Sequence, residues 1–127
     1  MVIDMFRYLS VDFDGVLHAR GPWKGPAVVN GQLVPGALKF LAECSEKMRV
    51  GIFSGRSAHP GAIEAMRAWL VEQAHADPNA DMWLPLLEWW LVKPPAQVFL
   101  DDRAITFRGE FPSVNDVLAF RPWTHEH

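Results

Sequence analysis

The sequence predicts an α/β fold in three layers, a mostly parallel sheet covered by helices on both faces. The candidate strands are short continuous apolar runs at 7–11, 49–54, 87–92 and 98–100, not the alternating runs of a sheet wetted on one face. Helical patterns separate the first three, which is the βαβ order that builds parallel sheets. The length of 127 residues fits one domain.

Each element has a local reason. Arg7-Tyr8-Leu9-Ser10-Val11 runs into Asp12-Phe13-Asp14-Gly15, a strand stopped by a glycine turn. Residues 15–34 carry Gly15, Gly21, Pro22, Gly25, Pro26 and Gly31 and read as a loop. Within it, Asn30-Gly31 between apolar runs predicts a hairpin over 28–34, a small flap. Pro35 suits a first helical turn, and Leu38, Leu41 and Cys44 share one face of a helix over 35–44. After the strand at 49–54, Ser57 or His59 is expected to cap the next helix, with Pro60 in its first turn. Ile63, Met66, Leu70 and Gln73 form its inner stripe, with Glu64, Arg67 and Glu72 outside. Residues 77–81 read as a surface loop. The run at 87–92 is ambiguous by period, and its length and aromatic content favour a strand. Val98-Phe99-Leu100 is a fourth strand, 106–111 a turn or tight hairpin, and Ser113 caps a last helix to about Phe120.

Composition removes several functions. A chain that is 50% hydrophobic and 21% charged is not a disordered one. Its one cysteine forbids an intrachain disulfide and offers no zinc-cluster spacing, which fits a reducing cytoplasm. Cys44, on an apolar helix face, reads as an inert thiol. Twelve Lys and Arg against fifteen Asp and Glu give a net charge of −3, so nothing global favours nucleic acid or an anionic membrane. No apolar run approaches the ~18 residues of a membrane span, and the start lacks a basic segment leading into a long apolar one. The expectation is a soluble cytoplasmic protein, monomer or homodimer. Among six tryptophans, Trp69, Trp89 and Trp90 read as core. Trp23, Trp83 and Trp123 fall in loops or at the end, where a substrate platform or dimer patch competes with core cover; core cover is the expectation for each.

Chemistry collects at the strand ends. Val11 leads into Asp12 and Asp14, Phe53 into Ser54, Val92 into Lys93, and Leu100 into Asp101 and Asp102. Ligand sites of parallel sheets lie beyond the carboxyl ends of the strands. Each acid alone reads equally as a turn former or helix cap; together they set four carboxylates against one ammonium. Such a cluster recruits a cation or protonates, and oxygen donors suit a hard divalent ion, Mg²⁺ in a cell.

The segments Tyr8-Leu9-Ser10-Val11-Asp12-Phe13-Asp14-Gly15-Val16, Val50-Gly51-Ile52-Phe53-Ser54, Lys93 and Val98-Phe99-Leu100-Asp101-Asp102, in this order, resemble the four motifs of the haloacid dehalogenase-like (HAD) hydrolase superfamily. The likeness runs from residue 8 to about 112. It implies a Rossmann-like α/β/α fold and a Mg²⁺-dependent phosphohydrolase. Asp12 would be the nucleophile that forms an aspartyl-phosphate and a metal ligand. Asp14 would be the general acid and then base, its backbone carbonyl facing the metal. Ser54 would hydrogen-bond the phosphoryl group and Lys93 would neutralise it. Asp101 and Asp102 would complete the metal site. Gly15, Gly55, Arg56, Arg103 and His18 are candidate substrate contacts; Arg56 and Arg103 read equally as surface ion-pair partners, and His18 as a solvated loop histidine. His59, His75, His125 and His127 show no metal-ligand spacing.

Caps of this superfamily enter between the first two or the second and third motifs. Neither 15–34 nor 55–92 holds a cap domain of the usual minimum of roughly 50 residues. The expectation is one domain over 1–127 without a cap, with an open site suited to a large phosphorylated substrate such as a nucleic-acid end. A small-molecule or nucleotide phosphatase of the same mechanism stays open. From other classes come a receiver-like phosphoacceptor, whose acidic pair would come early and not late, and a non-catalytic phosphate-binding module.

Overall fold

In a computed structural model of the chain, residues 4–123 are described. Strands β1 (Asp4–Val11), β2 (Met48–Ile52), β3 (Glu88–Trp89) and β4 (Val98–Leu100) form one parallel sheet in the order β3-β2-β1-β4. Helices α1 (Ala37–Ser45) and α2 (Ala62–Gln73) connect β1 to β2 and β2 to β3. Register sets Leu9 against Val50 and Val11 against Ile52, so all four side chains share one face. There they join Leu41 of α1 and Met66, Trp69 and Leu70 of α2 in a single buried cluster. Both helices therefore pack on that face. Each such side chain removed from water contributes roughly 1.5–3 kcal/mol.

The opposite face is covered differently. Tyr8 and Arg49, one register pair, point there. Arg49 makes a two-pronged pair with Glu88, at 2.8 and 3.0 Å, and its guanidinium lies 4.1 Å over the Tyr8 ring. The Tyr8 hydroxyl donates to Glu88 and accepts from the Trp90 indole N–H. Burial first, then the neighbouring Glu88, pushes that phenol up to about 12. Gly51 makes room for it, since a Cβ there would lie 2.6 Å from the Tyr8 oxygen. This ionic and aromatic cover stands where the sequence pattern predicts a second helical layer. The last helix, α3 (Val114–Ala119), is capped by Ser113 as expected but buries none of its residues. All three residues of β4 are exposed as well.

Three local expectations change. The third strand keeps only Glu88 and Trp89 of 87–92; Trp90 turns to Tyr8, and Pro94-Pro95 follow closely. Helix α2 begins after Gly61, which sits at φ 76°, not from a Ser57 or His59 cap. The hairpin over 28–34 is absent. Instead Ala19 N–H donates to Gln32 O at 2.7 Å and Val34 N–H to Leu17 O at 2.9 Å, so 17–19 and 32–34 pair and 20–31 form the protruding loop. Long-range bonds outweigh the local turn signal: the Asn30 amide donates to Pro22 O, Gly31 N–H donates to His18 Nε2, and the Trp69 N–H donates to Gly31 O. No described helix is long and apolar enough to cross a membrane.

Gly31 is wedged into this closure. A Cβ on it would lie 1.9 Å from Ala19 O and 2.6 Å from His18 Nε2. Gly31→Ala is expected to lower stability by about 1–3 kcal/mol in thermal or urea unfolding. An unchanged midpoint would show that the loop closes some other way.

Candidate functional site

Parallel order delivers the strand ends to one rim. Asp12 follows β1, held by its N–H to Leu100 O at 2.9 Å, with β2 on one side and β4 on the other. Ser54 lies just past β2, and Asp101 and Asp102 follow β4 directly. Asp12, Asp14, Ser54 and Asp101 line a cleft of about 300 Å³. Asp12, Asp101 and Asp102 offer oxygen atoms that all lie within 4.8 Å of one another. Gly15, at φ 83°, makes this approach possible: a Cβ there would sit 2.0 Å from Asp102 Oδ2. Burial first, and then the Asp101 charge, pushes the Asp12 carboxyl up to about 7, against the pull of the Phe13 N–H. An all-oxygen, negatively charged donor set fits a hard divalent cation.

Asp14 lines the same cleft but is not part of this triad. Arg56 grips it with two bonds, Nε to Oδ2 at 2.7 Å and Nη2 to Oδ1 at 3.0 Å, and His18 Nδ1 lies 2.9 Å from Oδ1. Burial opposes its charge, but these partners outweigh burial and hold the carboxyl down at about 2. His18 Nε2 accepts from Gly31 N–H, so the ring proton that faces Asp14 is on Nδ1. His18 is completely buried, stacked 5.2 Å from Phe13 and edge-on to Trp69 at 5.1 Å, which corrects its reading as a solvated loop residue. Arg56 is buried too, not a surface ion-pair partner, and it lines the cleft. Its remaining donors reach the carbonyls of Gly25, Pro26 and Val28.

Ser54 is buried, and its Oγ accepts Arg56 N–H at 3.1 Å, which leaves its own hydroxyl proton to donate into the cleft. Ser57 Oγ accepts the Ser54 N–H, a supporting role that the sequence reading assigned to a helix cap. Gly55 and Arg103 line the cleft, and Arg103 N–H closes a turn onto Asp101 Oδ1 at 2.8 Å. Lys93 is not brought in. Its strand ends at Trp89, and its exposed ammonium lies 4.8 Å over Phe99. Trp83 is buried, as expected, with its N–H on Asp77. Trp23 and Trp123 are not core cover: they are 67% and 66% exposed, Trp23 at the cleft and Trp123 with its N–H on Gly15 O. His59 also lines the cleft, and only its place five residues past Ser54 hinted at that. Cys44 is half-buried, and burial pushes its thiol up, away from reactivity. His125 and His127 lie outside the described residues.

The two aspartates give opposite pH dependences. Asp12 rises from its ordinary 3.8 to about 7, so between these values the folded chain binds more protons than the unfolded one. Its contribution to stability therefore falls as pH rises from about 4 to about 7, then levels. Asp14, lowered to about 2, contributes stability above 3.8 that is lost as pH falls toward 2. Asp12→Asn is expected to raise the melting temperature of the metal-free protein clearly more at about pH 8 than at about pH 4. An equal gain at both would refute the strained carboxylate. Comparison with protein-family models, curated proteins and solved structures finds no match to this chain.

Proposed function

We propose that the chain is a phosphohydrolase of the HAD-like kind, acting on phosphoric monoesters through an aspartyl-phosphate on Asp12. The observation that carries the reading is the convergence of Asp12, Asp101 and Asp102 within 4.8 Å beside Ser54 and Asp14. Asp12, Asp101 and Asp102 would hold a Mg²⁺ ion, whose charge would offset theirs and that of a phosphoryl dianion.

In the first step an Asp12 carboxylate oxygen bonds to phosphorus as the ester oxygen leaves and takes a proton from Asp14. In the second, water attacks phosphorus, Asp14 takes the water proton, and the Asp12–phosphorus bond breaks to release phosphate. Asp14 is ionised at rest by Arg56 and His18, which suits the second step directly. For the first it exchanges one of these partners for a proton. The Ser54 hydroxyl donates to a phosphoryl oxygen. With Lys93 outside the cleft, Arg103 supplies the neutralising cation. Arg20, Trp23 and Pro26 of the 20–31 loop line one side of the cleft.

An aryl phosphate tests this. Hydrolysis is expected with Mg²⁺, to stop with EDTA, and to fall at least about a thousandfold in Asp12→Asn. Activity that survives either change sinks the mechanism, and phosphate binding without turnover would favour the non-catalytic module.

A further inference from the structure

Trp23 is far more exposed than a tryptophan in a folded chain usually is, yet it is not loose. The guanidinium of Arg56, itself only 7% exposed, lies 4.8 Å from its ring centroid. Asp14 fixes that cation, and the cation in turn binds the carbonyls of Gly25, Pro26 and Val28, in the loop that carries Trp23. One face of the indole is thus occupied by a buried cation, and the other faces solvent at the rim of the cleft that holds Asp12. A preorganised, open π-face stacks a flat ring with little loss of side-chain freedom. Two more cations, Arg20 and Arg103, line the same cleft.

We infer that Trp23 is a base-stacking platform and that the substrate is a phosphorylated single-stranded nucleic-acid end. This rests on the phosphohydrolase reading and adds the class of ester. The terminal phosphate meets Asp12 on the floor of the cleft, and the adjoining base lies on Trp23 at the rim, with the sugar spanning the two. A neighbouring phosphodiester meets Arg20, while Arg103 stays with the terminal phosphate. A phosphotyrosine ring, bonded directly to the ester oxygen, stays with its phosphate on the floor and leaves the platform unused. The chain's net charge of −3 gives no long-range attraction, so binding depends on these local cations and on stacking.

The test compares the wild type, Trp23→Ala and Trp23→Phe on 3′- and 5′-phosphorylated thymidine tetranucleotides, glycerol phosphate and a phosphotyrosine peptide. The ratio of kcat/KM for the preferred tetranucleotide to that for glycerol phosphate is expected to fall about tenfold or more in Trp23→Ala, through KM, and to stay near wild type in Trp23→Phe. An unchanged ratio, or a wild-type preference for the phosphopeptide, overturns the platform. Anisotropy of a labelled tetranucleotide on Asp12→Asn, with and without Trp23→Ala, reads binding without turnover. Binding that needs Trp23 in a protein that hydrolyses nothing supports the platform and removes the phosphohydrolase. Glycerol phosphate hydrolysis with binding indifferent to Trp23 does the reverse.

Discussion

Arg56 and Asp14 form a buried ion pair between the turn after β1 and the turn after β2, and much of the site is arranged around it. Neither charge is tolerable alone at that depth, since an unpartnered buried charge destabilises by several kcal/mol. Each therefore fixes the other's segment. Asp14 draws His18 inward, and His18 catches Gly31 N–H on its far nitrogen. Arg56 draws in the backbone of Gly25, Pro26 and Val28. A loop with six glycines and prolines between residues 15 and 31 would otherwise have little to order it. Its order comes from polar atoms that need partners more than from apolar burial.

The same arrangement separates two carboxylates that stand two residues apart. Asp12 is burdened by burial and by two neighbouring acids, and Asp14 is relieved by a cation and a ring N–H. One is pushed up to about 7 and the other held at about 2. Environments that drive neighbouring acids apart in this way are how a site gives two like groups different work. The group with excess negative charge around it is the one a cation would relieve. The group already neutralised by Arg56 and His18 is the harder one to protonate, since a proton on it displaces one of those partners.

Strand ends were legible in the sequence because continuous apolar runs identify buried parallel strands and parallel order fixes where their ends meet. Asp12, Ser54, Asp101 and Asp102 follow from that alone. Gly15 was legible as a turn, but its second task, admitting Asp102, depends on a residue far along the chain. Lys93 was misplaced because a run of apolar residues does not reveal where pairing stops; Trp90 leaves the strand for a hydroxyl on β1. His18 and Arg56 were underread for one reason. Their burial arises from contacts with Phe13, Trp69 and the loop backbone, which no local pattern encodes.

Support for the two halves of the carboxylate triad is unequal. Asp12 stands on the central strand, behind Leu9 and Val11 in the core. Asp101 and Asp102 stand on a three-residue edge strand with every residue exposed, followed by a helix that buries nothing. Besides the β1 ladder, the bonds between Gln97 and Tyr8, the Asp12 N–H on Leu100 O and the Trp123 indole on Gly15 O help tie this end of the chain to the site. Once Asp12 is ionised, three carboxylates facing one another push these halves apart. A divalent ion bound between them would replace that repulsion with attraction across the β1–β4 boundary. Ligand binding that favours the folded form stabilises it by mass action. The gain would fall on β4, where apolar burial contributes least, so occupancy of the site and order of the sheet edge would rise together.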